Sequence, residues 1–204
     1  MNMYKKTKIM LALLVLLNGI MLSAQSLVWT GNAGDNDFFN ENNWKYTQDD
    51  NIPSQGTLDP GSPIDVDLRV ENVSETIGGE NGVSANIVFG NGKLIIENAI
   101  LNMQHGFGVD MGNTANSIEI KSAVLKSDYV NNADMTLGGD AQLYFRSSTP
   151  FDANTTINIV SEDAWIYAPS VNAVDFNNSF LTRIKINNET AVDLENVRVV
   201  QYYS

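Results

Sequence analysis

The 204-residue chain carries 12 basic and 24 acidic side chains, a net charge of −12, and no cysteine. Such acidity disfavours nucleic acid and anionic membrane surfaces as partners. The missing thiols exclude disulfides and thiolate metal sites, and His105 as the single histidine excludes a multi-histidine zinc centre.

In chain order, the first 24 residues have the pattern of a secretory signal. Lys5, Lys6 and Lys8 form a basic start, residues 9–22 are apolar apart from Asn18 and Gly19, and "SAQS" supplies small residues for cleavage after Ala24 or Ser26. The apolar run is shorter than the roughly 20 residues that span a bilayer, so a cleaved leader is expected and not an anchor. Removing it at Ala24 leaves 180 residues, one domain by length, with 9 basic against 24 acidic side chains and a net charge of −15. The expected product is secreted or displayed at the cell surface, with no membrane contact after signal removal. Without disulfides, its stability must come from a regular ladder or from bound ions.

Residues 25–62 are expected to form an N-terminal cap and loop. "LVWTGNAGDNDFFNENNW" (27–44) sets Trp29, Phe38, Phe39 and Trp44 among Gly, Asn and Asp, so aromatic rings can cover the end of a core while the polar residues turn the chain. Asp35 and Asp37, with Asn36, Asn40 and Asn42, offer oxygen ligands that suit calcium. The spacing does not meet the EF-hand loop, and turn formation explains the same residues. Pro53, Pro60 and Pro63 punctuate the loop that follows. "PIDVDLRVE" then alternates, with Ile64, Val66, Leu68 and Val70 on one face and Asp65, Asp67, Arg69 and Glu71 on the other, the pattern of a half-buried strand. Gly78, Gly79 and Gly82 mark the next turn.

The remainder repeats. "LIIENAILNM", "IEIKSAVLKS", "MTLGGDAQLYF", "INIVSEDAWIY" and "IKINNETAVDL" align on Ala99, Ala123, Ala141, Ala164 and Ala191, at spacings of 24, 18, 23 and 27 residues. Each unit is a short apolar strand, a polar turn, an alanine and a second apolar strand. Periods of this size mark repeat architectures. The expectation is an all-β chain: a single-stranded β-helix (β-solenoid) with two strands per coil over residues 63–204, behind an N-terminal cap. The alternative is a β-sandwich. Two residues after the alanines, Leu101, Leu125, Leu143 and Ile166 are expected to stack inside. The fifth unit breaks that column with Asp193, which a bulge near Ala191 would repair. The many Asn residues suit left-handed corners and amide stacking. Sequons at Asn177 and Asn188 carry little weight in an Asn-rich chain.

The order Trp29-Thr30-Gly31, Gly34-Asp35, Phe38/Phe39, Asn43-Trp44, Pro53 and a first strand from Ile64 resembles the N-terminal part of secreted bacterial β-helix passenger and adhesin-like proteins, with Phe where their middle Trp usually stands. The resemblance covers about the first 50 residues after the leader. It implies adhesion, surface display, or a module attached to a polysaccharide-active protein. The chain stops at the apolar "VRVVQYYS", so continuation beyond Ser204 into a C-terminal domain is expected.

Two constellations carry the functional expectations. Tyr144 and Tyr167, three places after their alanines, and Trp165, one place after, are expected on an outward face where rings and neighbouring amides can hold extracellular polysaccharide or cell-surface glycan. The competing explanation is an aromatic ladder with a structural role. Lys121, Lys126 and Arg146, with Asp128 near, are the cations a polysaccharide lyase would use to stabilise developing charge, but nothing in the sequence gathers them. No nucleophile elbow, phosphate loop or catalytic histidine pattern occurs, so a non-catalytic module for surface attachment or spacing is expected, with carbohydrate binding as the alternative and a lyase-like fragment third.

Overall fold

The computed structural model describes residues 25–113, 115–147 and 151–168, and three further short strands at 184–186, 189–190 and 199–201. The leader, the sequon asparagines Asn177 and Asn188, and the break at Ala191 and Asp193 lie outside the described residues.

The chain opens with an antiparallel pair, β1 (Ser26–Trp29) and β2 (Trp44–Tyr46). One 3-10 turn, Glu41–Asn43, stands just before β2. The chain then passes repeatedly through three sheets. The first passage is β3 (Pro63–Ile64), β4 (Asp67–Glu71) and β5 (Thr76–Ile77); the second is β6 (Ile87–Phe89), β7 (Lys93–Glu97) and β8 (Ile100–Asn102). The third is β9 (Val109–Asp110), β10 (Ser117–Lys121) and β11 (Val124–Ser127), and the fourth is β12 (Val130–Asn131), β13 (Asp134–Gly138) and β14 (Gln142–Phe145). β15 (Thr156–Ile159) and β16 (Trp165–Ala168) follow, then β17 (Ile184–Ile186), β18 (Glu189–Thr190) and β19 (Val199–Gln201). Each strand pairs with its counterpart one passage away. The result is a nine-stranded sheet (β18-β17-β15-β13-β10-β7-β4-β1-β2), a six-stranded sheet (β19-β16-β14-β11-β8-β5) and a four-stranded sheet (β12-β9-β6-β3). Pairing is parallel except in β1·β2 and β17·β18, at the two ends of the largest sheet.

This corrects the expected fold. The chain forms three separate, mostly parallel open sheets, not the single-stranded β-helix with two strands per coil. The mostly parallel pairing equally departs from the alternative β-sandwich. The third sheet was missed because its strands are only two or three residues long and hold Pro63, Asp110 and Asn131, residues typical of loops. The alternating run at 63–71 is likewise not one strand. It bends at Asp65 and Val66, giving Pro63–Ile64 to the four-stranded sheet and Asp67–Glu71 to the nine-stranded one.

Registers follow the apolar pattern, because a one-residue slip would turn every buried side chain to solvent. Leu27, Leu68, Leu94, Ile118, Met135 and Ile157 align across the nine-stranded sheet. Ile77, Leu101, Leu125, Leu143 and Ile166 align across the six-stranded one. All of these side chains are buried and belong to one core cluster. Val124, Gln142 and Trp165 pair with Ile100, Val124 and Gln142, so Ala99, Ala123, Ala141 and Ala164 stand in line one residue earlier, and all four are buried.

The corner between the two larger sheets turns through left-handed backbone. Asn72, Asn98 and Ser122 have φ of 55°, 48° and 46°, and the Asn98 amide donates to Asn72 Oδ1 at 2.9 Å. Each corner N–H donates to the neighbouring passage: Asn72 to the Glu97 carbonyl, Asn98 to Lys121, and Ser122 to Gly138. Gly139 (φ 61°) continues the series, and a Cβ there would press on the Ser122 hydroxyl, so any larger residue needs that side chain to turn away.

Candidate binding face

β11, β14 and β16 alternate, so burying Leu125, Leu143 and Ile166 turns the intervening residues outward. Two outward columns result. Ile100, Val124, Gln142 and Trp165 form one; Asn102, Lys126, Tyr144 and Tyr167 form the other. The three sequence-predicted residues Tyr144, Trp165 and Tyr167 thus come together on the outer face of the six-stranded sheet, each half-buried. The tyrosine rings are parallel, 4.1 Å apart with an interplanar angle of 2°. Trp165 lies against Tyr167 at 6.1 Å and 23°. The Tyr144 hydroxyl donates to Gln142 Oε1 at 3.0 Å, and Lys126 Nζ is 6.0 Å from the Tyr144 ring centroid.

Beside the stack runs an open groove of about 360 Å³, lined by Ile100, Val124, Lys126, Gln142, Tyr144 and Arg146. One end is fixed by a charged clamp. Arg146 Nε donates to Asp128 Oδ1 at 2.8 Å, and a terminal guanidinium nitrogen donates to the Met103 carbonyl. Asp128 Oδ2 accepts from the Gly106 N–H at 2.7 Å and stands 2.8 Å from Nδ1 of the exposed His105. Burial acts to raise the Asp128 pKa, but the Gly106 N–H, the Arg146 guanidinium and His105 together outweigh it and hold the carboxyl below the usual range.

The cations considered for lyase chemistry do not gather. Lys126, Arg146 and Asp128 neighbour the groove, whereas Lys121 stands on β10 in the nine-stranded sheet, paired with Glu97 at 2.7 Å. The clamp was not expected from the sequence, although Asp128 and Arg146 each stand five places after an aligned alanine, a shared offset that could have pointed to it. Gln142 was expected outward one place after its alanine, and Ile100 and Val124 stand at the same offset after Ala99 and Ala123.

The Asp35 and Asp37 carboxylates sit in the loop between β1 and β2, where each accepts internal hydrogen bonds. Asp35 receives the Asn40 and Asn43 amides, both at 2.6 Å, and the Asp37 N–H at 3.1 Å; Asp37 receives the Phe39 N–H at 3.0 Å. Burial works to raise the Asp35 pKa, and these bonds overcome it and lower it. The amide of the fully buried Asn43 also donates to the Asp37 carbonyl and its oxygen accepts the Ala33 N–H, so one side chain ties the loop together. Among the described residues, no group of three or more His, Asp or Glu side chains could hold a metal ion, and no helix is long and apolar enough to cross a membrane. No family model, curated protein or solved structure matches the chain.

Proposed function

We propose that this chain is an extracellular, non-catalytic attachment module that engages a glycan through the outer face of the six-stranded sheet. The observation that carries the proposal is the cluster of Tyr144, Trp165 and Tyr167 beside an open groove that also presents Gln142 and Lys126. Flat rings next to amides and a cation are the chemistry that stacks on sugar faces and binds their hydroxyls. Backbone ladders hold the rings in place, so little entropy is lost on binding. The leader-like N-terminus and the resemblance of the cap segment to passenger and adhesin-like proteins favour an extracellular role.

A ligand-free spacer is the second reading. It is favoured by the Tyr144–Tyr167 stack, in which the rings spend part of their faces on each other. A glycan array separates the two. Specific binding by the wild type, reduced at least tenfold in Trp165→Ala with an unchanged melting temperature, supports attachment. No retained glycan supports the spacer.

A further inference from the structure

We propose that the polymer held by this face is anionic, its carboxylate or sulfate groups taken by Lys126 beside Tyr144; this deepens the attachment reading and rests on it.

The first observation is pairing. Among the side chains described within residues 25–167, five of the six Lys and Arg stand within 4 Å of a carboxylate: Lys45 with Asp50, Arg69 with Glu71, Lys93 with Glu119, Lys121 with Glu97 and Arg146 with Asp128. Lys126 alone has no such partner there. In a chain with twice as many acids as bases, an unpaired exposed cation is against the odds, and this one lines the groove.

The second observation is the distribution of acid. Neither outward column of β8, β11, β14 and β16 contains a carboxylate. The outward positions of the nine-stranded sheet carry Asp67, Glu71, Glu97, Glu119 and Asp134. The acids next to these strands in sequence are Asp140, Glu162 and Asp163 in the corners before them and Asp128 just after β11, which pairs with Arg146. Because Asp128 neutralises Arg146, the groove keeps the single positive charge of Lys126. An acid-free strip bearing an uncompensated ammonium and stacked rings complements a chain of sugar rings with negative groups at intervals. A neutral glycan would leave that ammonium without a counter-charge.

The test measures binding by the secreted protein to polygalacturonate, alginate and chondroitin sulfate, each beside its charge-blocked counterpart (methyl ester or desulfated polymer). The expected result is retention of at least one anionic polymer and at least tenfold weaker binding of its blocked form. Lys126→Gln should weaken the anionic polymer about fivefold, near the upper range for an exposed ion pair, and Lys126→Arg should restore it. Gln142→Glu, which adds a negative charge to the groove wall, should weaken binding by a similar factor, and all variants should keep the wild-type melting temperature. Equal binding of charged and blocked polymers, unaffected by Lys126→Gln, would overturn this inference and leave the attachment reading standing. Binding that survives Trp165→Ala unchanged, or no binding to any polymer in either form, would overturn both.

Discussion

Asp128 shows how one buried carboxylate can organise several backbone segments. Its two oxygens serve Arg146, just after β14, the Gly106 N–H and His105. The Arg146 contact to the Met103 carbonyl then ties in the end of the preceding passage. Asp35 and Asp152 are held in the same way. At each, burial alone would raise the pKa, but hydrogen bonds prevail and lower it: to Asp152 from Thr155, Asn132 and Asn154, and to Asp35 from Asn40 and Asn43. The sign of the linkage follows. A folded pKa below the unfolded value of about 3.9 gives stability that is complete above that value and lost as pH falls through the folded value. The protein should therefore keep a constant denaturation midpoint from neutral pH down to about 5 and lose stability steeply below about 4. Asp128→Asn should cost about 1–3 kcal/mol at pH 7, because it leaves a largely buried guanidinium without its counter-charge. The gap to wild type should narrow as the pH drops through the acid transition. Urea titrations at several pH values check both, and a gap that stays constant down to pH 2 would show that the charge on Asp128 contributes nothing.

Among the elements, the burial of the aromatic rings of the N-terminal segment was the most legible in the sequence. Two tryptophans and a phenylalanine in a Gly/Asn/Asp loop can bury themselves only by folding onto an exposed core end, and Phe38 and Trp44 are fully buried. Their rings meet edge to face at 5.2 Å, and Trp29 meets Trp44 at 5.3 Å in the same manner. What spacing could not show is that Trp44 Nε1 donates to the Phe38 carbonyl at 2.8 Å inside this segment. A buried carbonyl that loses its partner costs about 1–3 kcal/mol, and shrinking the ring adds a cavity cost. Trp44→Phe, which keeps an aromatic ring but loses the donor, should therefore destabilise by about 2–4 kcal/mol. Equilibrium denaturation measures that loss. A cost under about 0.5 kcal/mol, typical of an unconstrained surface site, would mean that this segment is not part of the cooperative unit. The short strands of the four-stranded sheet were illegible for the opposite reason. Two residues give no period to detect, and their registers are set by neighbours such as Phe89 and Val109, not by local propensity.

For the whole molecule, the alignment on alanine located the paired strands, because stacking requires the same residue size at each corner; the architecture itself was misjudged. Periodicity reports which strands are equivalent, and it is silent on how many sheets they are divided among or whether those sheets close. The large-scale electrostatics, in contrast, can be read directly from composition. Most ion pairs here are exposed, as with Lys45–Asp50, Lys93–Glu119 and Lys121–Glu97. Such pairs contribute about 0–1 kcal/mol each and are screened by salt. Against them stand 24 acidic groups with only 12 basic ones, whose mutual repulsion favours expansion of the chain. The unpaired excess outweighs the few weak attractions, so repulsion should dominate the response to ionic strength. Raising sodium chloride from about 0.01 to 0.3 M shortens the screening length from roughly 30 Å to below 8 Å, which removes repulsion between distant acids more than it weakens contacts at 3 Å. The melting temperature at neutral pH should therefore rise by several degrees over that range. A fall would mean that the exposed pairs act as a cooperative network strong enough to offset the net charge, and the clamp at Asp128, partly shielded from solvent, would be the first place to look for it.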